Sequence, residues 1–344
     1  MPKPLAEGLD YASRAGALKR ARSRRAVRRL TAHARQGALN RLERVTLGGA
    51  SHTLLTRSSG QDQGVALYIH GFLDPALAAA RRVGWASGLE EQFTVVYWER
   101  RGYASAYRRG LDASTMTVDQ ATDDAVELID MLVARHDRPI HLIGHSLGSV
   151  VALSAAAARP QAVASVTVLA PVIDNQAGDS IVWERVQRGV ASAPGLLLRR
   201  QLKRLGPPPY PARKALLRLS VISRTGGLYC DRYAGLGRLI LDSIFASWRT
   251  PEYTLVDLVR AAAMIRFIVR SSWADVMSLR MDERVQSLPM PVLMVLGRSD
   301  NGTPPELAVD YFERLHAPAG KQLRWLEESA HFCHVEQQIG RAHV

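Results

Sequence analysis

Cysteine is nearly absent from this chain: Cys230 and Cys333 are the only two among 344 residues. Two thiols make neither a disulfide framework nor a four-ligand zinc site, and a reducing compartment such as the cytoplasm is the expected setting. No apolar stretch opens the chain, so no secretory signal is read there. Long charge-free runs are scarce as well. Pro139–Ala158 spans 20 residues without Lys, Arg, Asp or Glu, enough in principle to cross a bilayer. It holds His141 and His145 and breaks at Gly144 and Gly148, so it reads as a buried strand running into a buried helix. The basic N-terminal segment lacks the interleaved aromatics on which single-stranded nucleic acid stacks. No internal repeat is present.

What is present is ordinary globular composition, with 47% hydrophobic and 22% charged residues, enough to bury a sizeable core in one large domain or two small ones. The net charge of +13 is unevenly spread. Residues 1–44 carry 12 basic and 3 acidic side chains, a net of +9, whereas residues 45–344 carry 33 and 29, a net of +4. The segment 1–44 is expected to be a basic helical arm, Ala/Arg/Leu-rich from Leu18 to Leu42. Two readings of it stay open: a solvated helix leaning on the body, or an arm that touches an anionic membrane or RNA surface. A mis-assigned start codon is a third. At the other end, Ile339–Val344 reads as a translated sequencing adapter, and the natural chain is expected to run on past Gln338.

From Arg44 onward short apolar runs alternate with helical periodicity. Val45–Leu47 and Thr53–Thr56, split by Gly48-Gly49, look like an edge strand pair. Val65–Ile69, Phe93–Trp98, Ile140–Ile143, Val163–Ala170, Val292–Leu296 and Leu323–Leu326 read as strands. Helices are expected over Pro75–Leu89, from Thr117 to Val133, over Leu147–Ala158 and after Pro304-Pro305. Unbroken apolar strands alternating with helices imply an α/β fold, a mostly parallel sheet covered on both faces. Residues 45–173 and 289–338 form this core. Asp174–Leu288 breaks the rhythm with Arg/Leu-rich helical patterns and a proline-rich piece, and residues 174–288 are expected to be a helical cap lying over the sheet.

Gly144-His-Ser-Leu-Gly148 fits G-x-S-x-G. The bare pattern arises easily by chance, but here it follows an apolar strand and opens a helix, the strand–turn–helix elbow that exposes a nucleophilic serine. A serine hydroxyl needs a base, normally a histidine steadied by a carboxylate, in the chain order Ser, Asp/Glu, His. Asp300 and His331 follow the strands Val292–Leu296 and Leu323–Leu326, at loop positions where open α/β sheets gather ligands. Glu327 and Glu328 are rival acids and His334 a rival base. His145 and Cys333 read as packing residues beside the elbow. The oxyanion hole is expected from the backbone N–H groups of Leu147 and of Phe72, in the loop His70-Gly71-Phe72-Leu73, with His70 orienting that loop.

With these residues in place the chain resembles the α/β-hydrolase superfamily over about residues 45–338, and within it the proline-iminopeptidase-like hydrolases that carry a helical cap. Tyr97-Trp-Glu-Arg-Arg-Gly-Tyr103 looks like that group's Trp-Asp-Gln-Arg-Gly segment. Thr115–Gln120, Gly206–Tyr210, Pro251–Thr254 and Ser329–His331 look like other shared stretches. The departures are His70-Gly-Phe-Leu-Asp74 in place of His-Gly-Gly-Pro-Gly, and Leu147 where Trp is usual. The resemblance implies cap acids that hold a substrate amine, for which Asp179 and Glu184 are the candidates. It implies a serine hydrolase acting on a small ester or a short peptide, with proline iminopeptidase activity as the alternative and a non-catalytic binding protein as a third possibility. Such chemistry requires no metal and no organic cofactor.

Overall fold

A computed structural model describes residues 39–60, 64–74, 76–80, 85–192, 195–225, 227–230, 247, 250 and 252–337. Eight strands form one sheet: β1 (Leu39–Leu47), β2 (Ala50–Ser58), β3 (Val65–Ile69), β4 (Thr94–Glu99), β5 (Ile140–His145), β6 (Val163–Leu169), β7 (Val292–Gly297) and β8 (Lys321–Leu326). Their order is β1-β2-β4-β3-β5-β6-β7-β8. The β1/β2 hairpin and the β2/β4 pair are antiparallel, and every pairing from β4 through β8 is parallel. β3, β4 and most of β5 are wholly buried, as expected of strands covered on both faces.

The first strand corrects the boundary expected at residue 44. Leu39–Arg44 pair residue by residue with Thr53–Ser58 and are strand, not helical arm. Gly48 and Gly49, with φ of +51° and +72°, make the tight turn that sets this register. The hairpin hydrogen bonds then extend past the apolar stretch, overriding local helix propensity. Residues 1–38 and 338–344, which hold the rest of the arm and the adapter-like tail, lie outside the described residues. Within the stretch Pro75–Leu89 expected to be helical, the described residues Ala76–Ala79 and Trp85–Glu90 are helix.

Helices α1 (Val118–His136) and α2 (Leu147–Ala158) pack on one face of the sheet. Thr117 caps α1 by accepting the Gln120 N–H at 3.1 Å. Between β6 and β7 the chain runs through α3 (Asn175–Ser192), α4 (Leu196–Leu205), α5 (Ala215–Arg224) and α6 (Leu255–Met277). These helices share an apolar core of their own that includes Val182, Leu202, Val221 and Trp273. The last long helix, α7 (Pro305–Arg314), follows β7. Among the described residues no helix is long and apolar enough to cross a membrane.

A buried polar knot ties the hairpin to α1. Arg101 donates from Nε and Nη2 to the two oxygens of Asp124, each at 2.6 Å, and His52 Nε2 lies 3.4 Å from Asp124 Oδ2. His52 Nδ1 accepts the Trp98 indole N–H at 3.0 Å, which fixes the neutral tautomer. Burial, reinforced by Arg101, lowers the His52 pKa to about 3. A depressed folded-state pKa stabilises the fold fully above the unfolded value near 6.5, and this contribution is lost as pH falls towards 3. The slope is at most about 1.4 kcal/mol per pH unit. His52→Gln retains an acceptor for Trp98 and does not titrate. Urea unfolding at pH 7 and pH 4 is expected to show a smaller acid loss for this variant than for wild type; equal losses would remove His52 from the account.

Candidate active site

Strand β5 ends at His145 and α2 begins at Leu147, so Ser146 carries the whole reversal of direction. Its φ of +52° and ψ of −122° lie where a residue with a side chain rarely sits. The two glycines of the elbow are required by close packing. A Cβ on Gly148 would lie 2.1 Å from the Ile69 carbonyl oxygen at the end of β3, and one on Gly144 would lie 2.6 Å from the Gly148 carbonyl oxygen. Ser146 N–H is anchored to the Leu169 carbonyl of β6 at 2.9 Å.

The tertiary fold brings Ser146, His331 and Asp300 into one hydrogen-bonded line. Ser146 Oγ is 3.0 Å from His331 Nε2, and His331 Nδ1 is 3.0 Å from Asp300 Oδ2. The carboxylate accepts at Nδ1, so that nitrogen carries the proton and Nε2 is left to accept from the serine hydroxyl. Asp300 is almost wholly buried. Its Oδ1 accepts from the N–H groups of Gly302 at 2.6 Å and Thr303 at 2.9 Å, and its Oδ2 also accepts from Thr303 Oγ1 at 2.9 Å. Sequence reasoning missed Thr303, although an Asp followed by Asn-Gly-Thr is a turn signal that pointed to it. Of the rival acids, Glu327 is tied to Arg298 at 2.7 Å on the surface and Glu328 is exposed.

The rival base His334, expected in the first turn of a helix and facing away, instead packs close to the site. It is buried, with its ring 4.6 Å from that of His145, because the helix Cys333–Glu336 is a single short turn folded back against the elbow. His145 packs 5.1 Å from the His331 ring, and its Nε2 is 3.2 Å from the His331 carbonyl oxygen. Its Nδ1 is 3.5 Å from Asp74. Burial lowers the His145 pKa and pushes the Cys333 thiol far above its usual range, so neither is poised for chemistry.

Leu147 opens α2, so its N–H has no acceptor within the helix. Phe72 lies across the same cavity. The loop bearing Phe72 is held from below by Arg100, whose Nη2 donates to the carbonyl oxygens of His70 at 2.9 Å and Gly71 at 3.1 Å. His70 Nδ1 donates to the Gly71 carbonyl at 2.9 Å. Burial and the neighbouring Arg100 keep His70 well below its ordinary pKa, hence neutral. A Cβ on Gly71 would stand 3.0 Å from that of Ser146.

Two of the stretches likened to those of the family, Tyr97–Tyr103 and Pro251–Thr254, meet here. Glu99 accepts from Ser105 Oγ at 2.6 Å and from the hydroxyl of Tyr253 at 2.6 Å. Burial pushes its carboxyl up to about 7 against those hydrogen bonds. Tyr97-Trp-Glu-Arg-Arg-Gly-Tyr103 therefore anchors the loop beneath Phe72, the helix α1 and the segment before α6 at once.

Above Ser146 lies a cavity roofed by Ile222 and Leu228 and by Trp273 and Met277 of α6. The two expected substrate-binding acids are not among the residues that line it. Glu184 is exposed on α3. Asp179 is buried and ion-paired to Arg218, facing a small neighbouring cavity instead. Helical phase explains the correction: α3 turns Asp179 towards α5 and Glu184 towards solvent. Among the described residues, the charged group of the cap that does line the main cavity is Arg218, which no sequence signal singled out.

Comparison with known proteins decides the family. The model described as "Serine aminopeptidase, S33" matches residues 60–338. The chain belongs to the serine aminopeptidase S33 family. It is an α/β-fold hydrolase. The chain is similar to a probable aminopeptidase, YbaC, of Bacillus subtilis (strain 168), with 23% identity over 86% of this chain and 92% of that protein. It also has the fold of the proline iminopeptidase-related protein TTHA1809 from Thermus thermophilus. That structure has a TM-score of 0.60 and 19% identity, covering 87% of this chain and 92% of the other. The 2-hydroxy-6-oxo-6-phenylhexa-2,4-dienoate hydrolase of Rhodococcus sp. strain RHA1 matches with a TM-score of 0.57 and 17% identity, over 87% of this chain and 95% of the other.

The elbow of this S33 member yields a direct prediction. Gly148→Ala places a methyl group against the Ile69 carbonyl of β3 and should cost about 1–3 kcal/mol or more. Denaturant unfolding is expected to shift to lower urea, whereas an unchanged midpoint would mean that α2 does not rest on β3 this closely.

Proposed function

We propose that the chain is a serine hydrolase that cleaves small carboxylic esters or amides through an acyl-enzyme. The observation that carries this reading is the line Ser146 Oγ–His331 Nε2 and His331 Nδ1–Asp300 Oδ2, with both links at 3.0 Å. Ser146 Oγ attacks the substrate carbonyl carbon as His331 Nε2 takes the hydroxyl proton. The carbonyl π pair moves onto oxygen, and the Leu147 and Phe72 N–H groups receive that oxyanion. Collapse expels the leaving group, which takes the proton from His331. Water repeats the sequence on the acyl-enzyme and frees Ser146. Asp300 holds His331 in the tautomer that leaves Nε2 open and stabilises the imidazolium. Thr303 positions Asp300.

Ester cleavage is the leading form of this proposal because neither Asp179 nor Glu184 lines the cavity where a substrate amine would sit. Aminopeptidase action is the second form, favoured by family membership and by the similarity to YbaC. A reducing compartment belongs to the reading, since two cysteines in 344 residues make no disulfide framework.

The test is a paired assay with p-nitrophenyl butyrate and proline p-nitroanilide at neutral pH. Ser146→Ala should lower kcat by about 10⁴-fold or more, and Asp300→Asn by about 10⁴-fold through the wrong tautomer of His331. Ester turnover without anilide turnover supports the first form, and the reverse supports the second. Turnover that survives Ser146→Ala would overturn both.

A further inference from the structure

The cavity over Ser146 has two ends of different character. Ser146, His331 and Asp74 lie at the sheet end, and Arg218 of α5 lies at the cap end. Arg218 is the one lysine or arginine among the described residues that line it. Its side chain is 14% exposed, so it is largely withdrawn from water while facing Leu219 and Ile222 in the same wall. Asp179 holds it from behind, with Arg218 Nε donating to Asp179 Oδ1.

That ion pair engages one edge of the guanidinium only. Asp179 Oδ2 is buried without a hydrogen-bond partner among the described residues, so Arg218 does not offer this carboxylate its two-pronged fork. Nη1 and Nη2 have no acceptor among the described residues. A guanidinium pinned at Nε, with its Nη groups left without an acceptor among the described residues, is preorganised for a second, planar anion. A largely buried cation beside an apolar wall also gains more from such an anion than an exposed one does.

We propose that Arg218 binds a carboxylate carried at the far end of the substrate. The preferred substrates are then esters or amides bearing a remote carboxylate, of which monoesters of short dicarboxylic acids are the simplest. This rests on the assignment of Ser146 as the nucleophile and adds the substrate class to it. It also explains the displaced cap acids, because a fixed cation at this end repels the free ammonium that an aminopeptidase must accept.

The experiment compares mono-p-nitrophenyl glutarate with p-nitrophenyl butyrate on wild type, Arg218→Gln and Arg218→Lys. Wild type is expected to favour the glutarate by about tenfold or more in kcat/KM, through KM. Arg218→Gln should bring the ratio of the two esters towards one, and Arg218→Lys should keep part of it. The ratio is insensitive to the fraction of folded enzyme, so a variant that folds poorly still reports. A ratio near one in wild type, or one unchanged in Arg218→Gln, overturns the proposal.

Binding without chemistry separates this idea from the nucleophile assignment. Monomethyl glutarate is titrated calorimetrically into Ser146→Ala and into Ser146→Ala/Arg218→Gln. Saturable binding to the first that weakens about tenfold or more in the second supports the carboxylate site, even if no ester is turned over. Equal binding to both, or binding to neither, overturns it, even if esters are hydrolysed.

Discussion

Helix α2 starts in contact with the backbone of β3, and the rest of the site is arranged around that approach. With no side chain at Gly148, the first turn of α2 settles against the Ile69 carbonyl. β5 must then reverse within a single residue, and Ser146 takes a backbone conformation that only surrounding structure can hold. The anchor from Ser146 N–H to Leu169 supplies part of that hold, and the short bond from Ser149 Oγ to the Ser146 carbonyl at 2.5 Å supplies another. Strain concentrated at one residue presents its hydroxyl to the cavity and directs the unpaired start of a helix at the same space. A looser helix would lose both effects together.

The same logic governs the loop after β3. Arg100 is buried with no carboxylate in contact among the described residues, an arrangement that is expensive unless carbonyl oxygens replace the lost water. Here the carbonyls of His70 and Gly71 do so. In return the loop cannot drift, because releasing it would strand a buried cation. Glu99 and Arg101, on either side of Arg100, reach Tyr253 and Asp124. Three consecutive charged side chains thereby lock three separate parts of the chain to one strand end. A family resemblance that is faint in overall identity is for this reason legible in short stretches.

The insertion between β6 and β7 obeys different rules. Its helices bury a core of their own and meet the site through contacts such as that of Trp273 with Phe72 of the loop after β3, whose rings stand 6.1 Å apart. The hydrolytic line below depends on α/β geometry, whereas the walls of the cavity depend on helical phase. Phase is set by packing of the whole helix, so a single acid or arginine can be turned into or out of the cavity without altering the chemistry beneath.

The sequence by itself determined the sheet class, the strand–turn–helix order of the elbow and the candidacy of Ser146, Asp300 and His331. Each of these follows from local rules: apolar runs of strand length, glycines at a sharp turn, and loops that follow parallel strands. The extension of β1 back to Leu39 was decided by pairing across the Gly48-Gly49 turn, which local helix propensity does not register. The withdrawal of Asp179, the exposure of Glu184 and the entry of Arg218 into the cavity were decided only by tertiary structure. A helix buries whichever side chains its neighbours leave room for, and a periodic, strongly basic segment offers several phases of similar merit. Contacts between residues far apart in the chain choose among them, and those contacts exist only once the cap has packed.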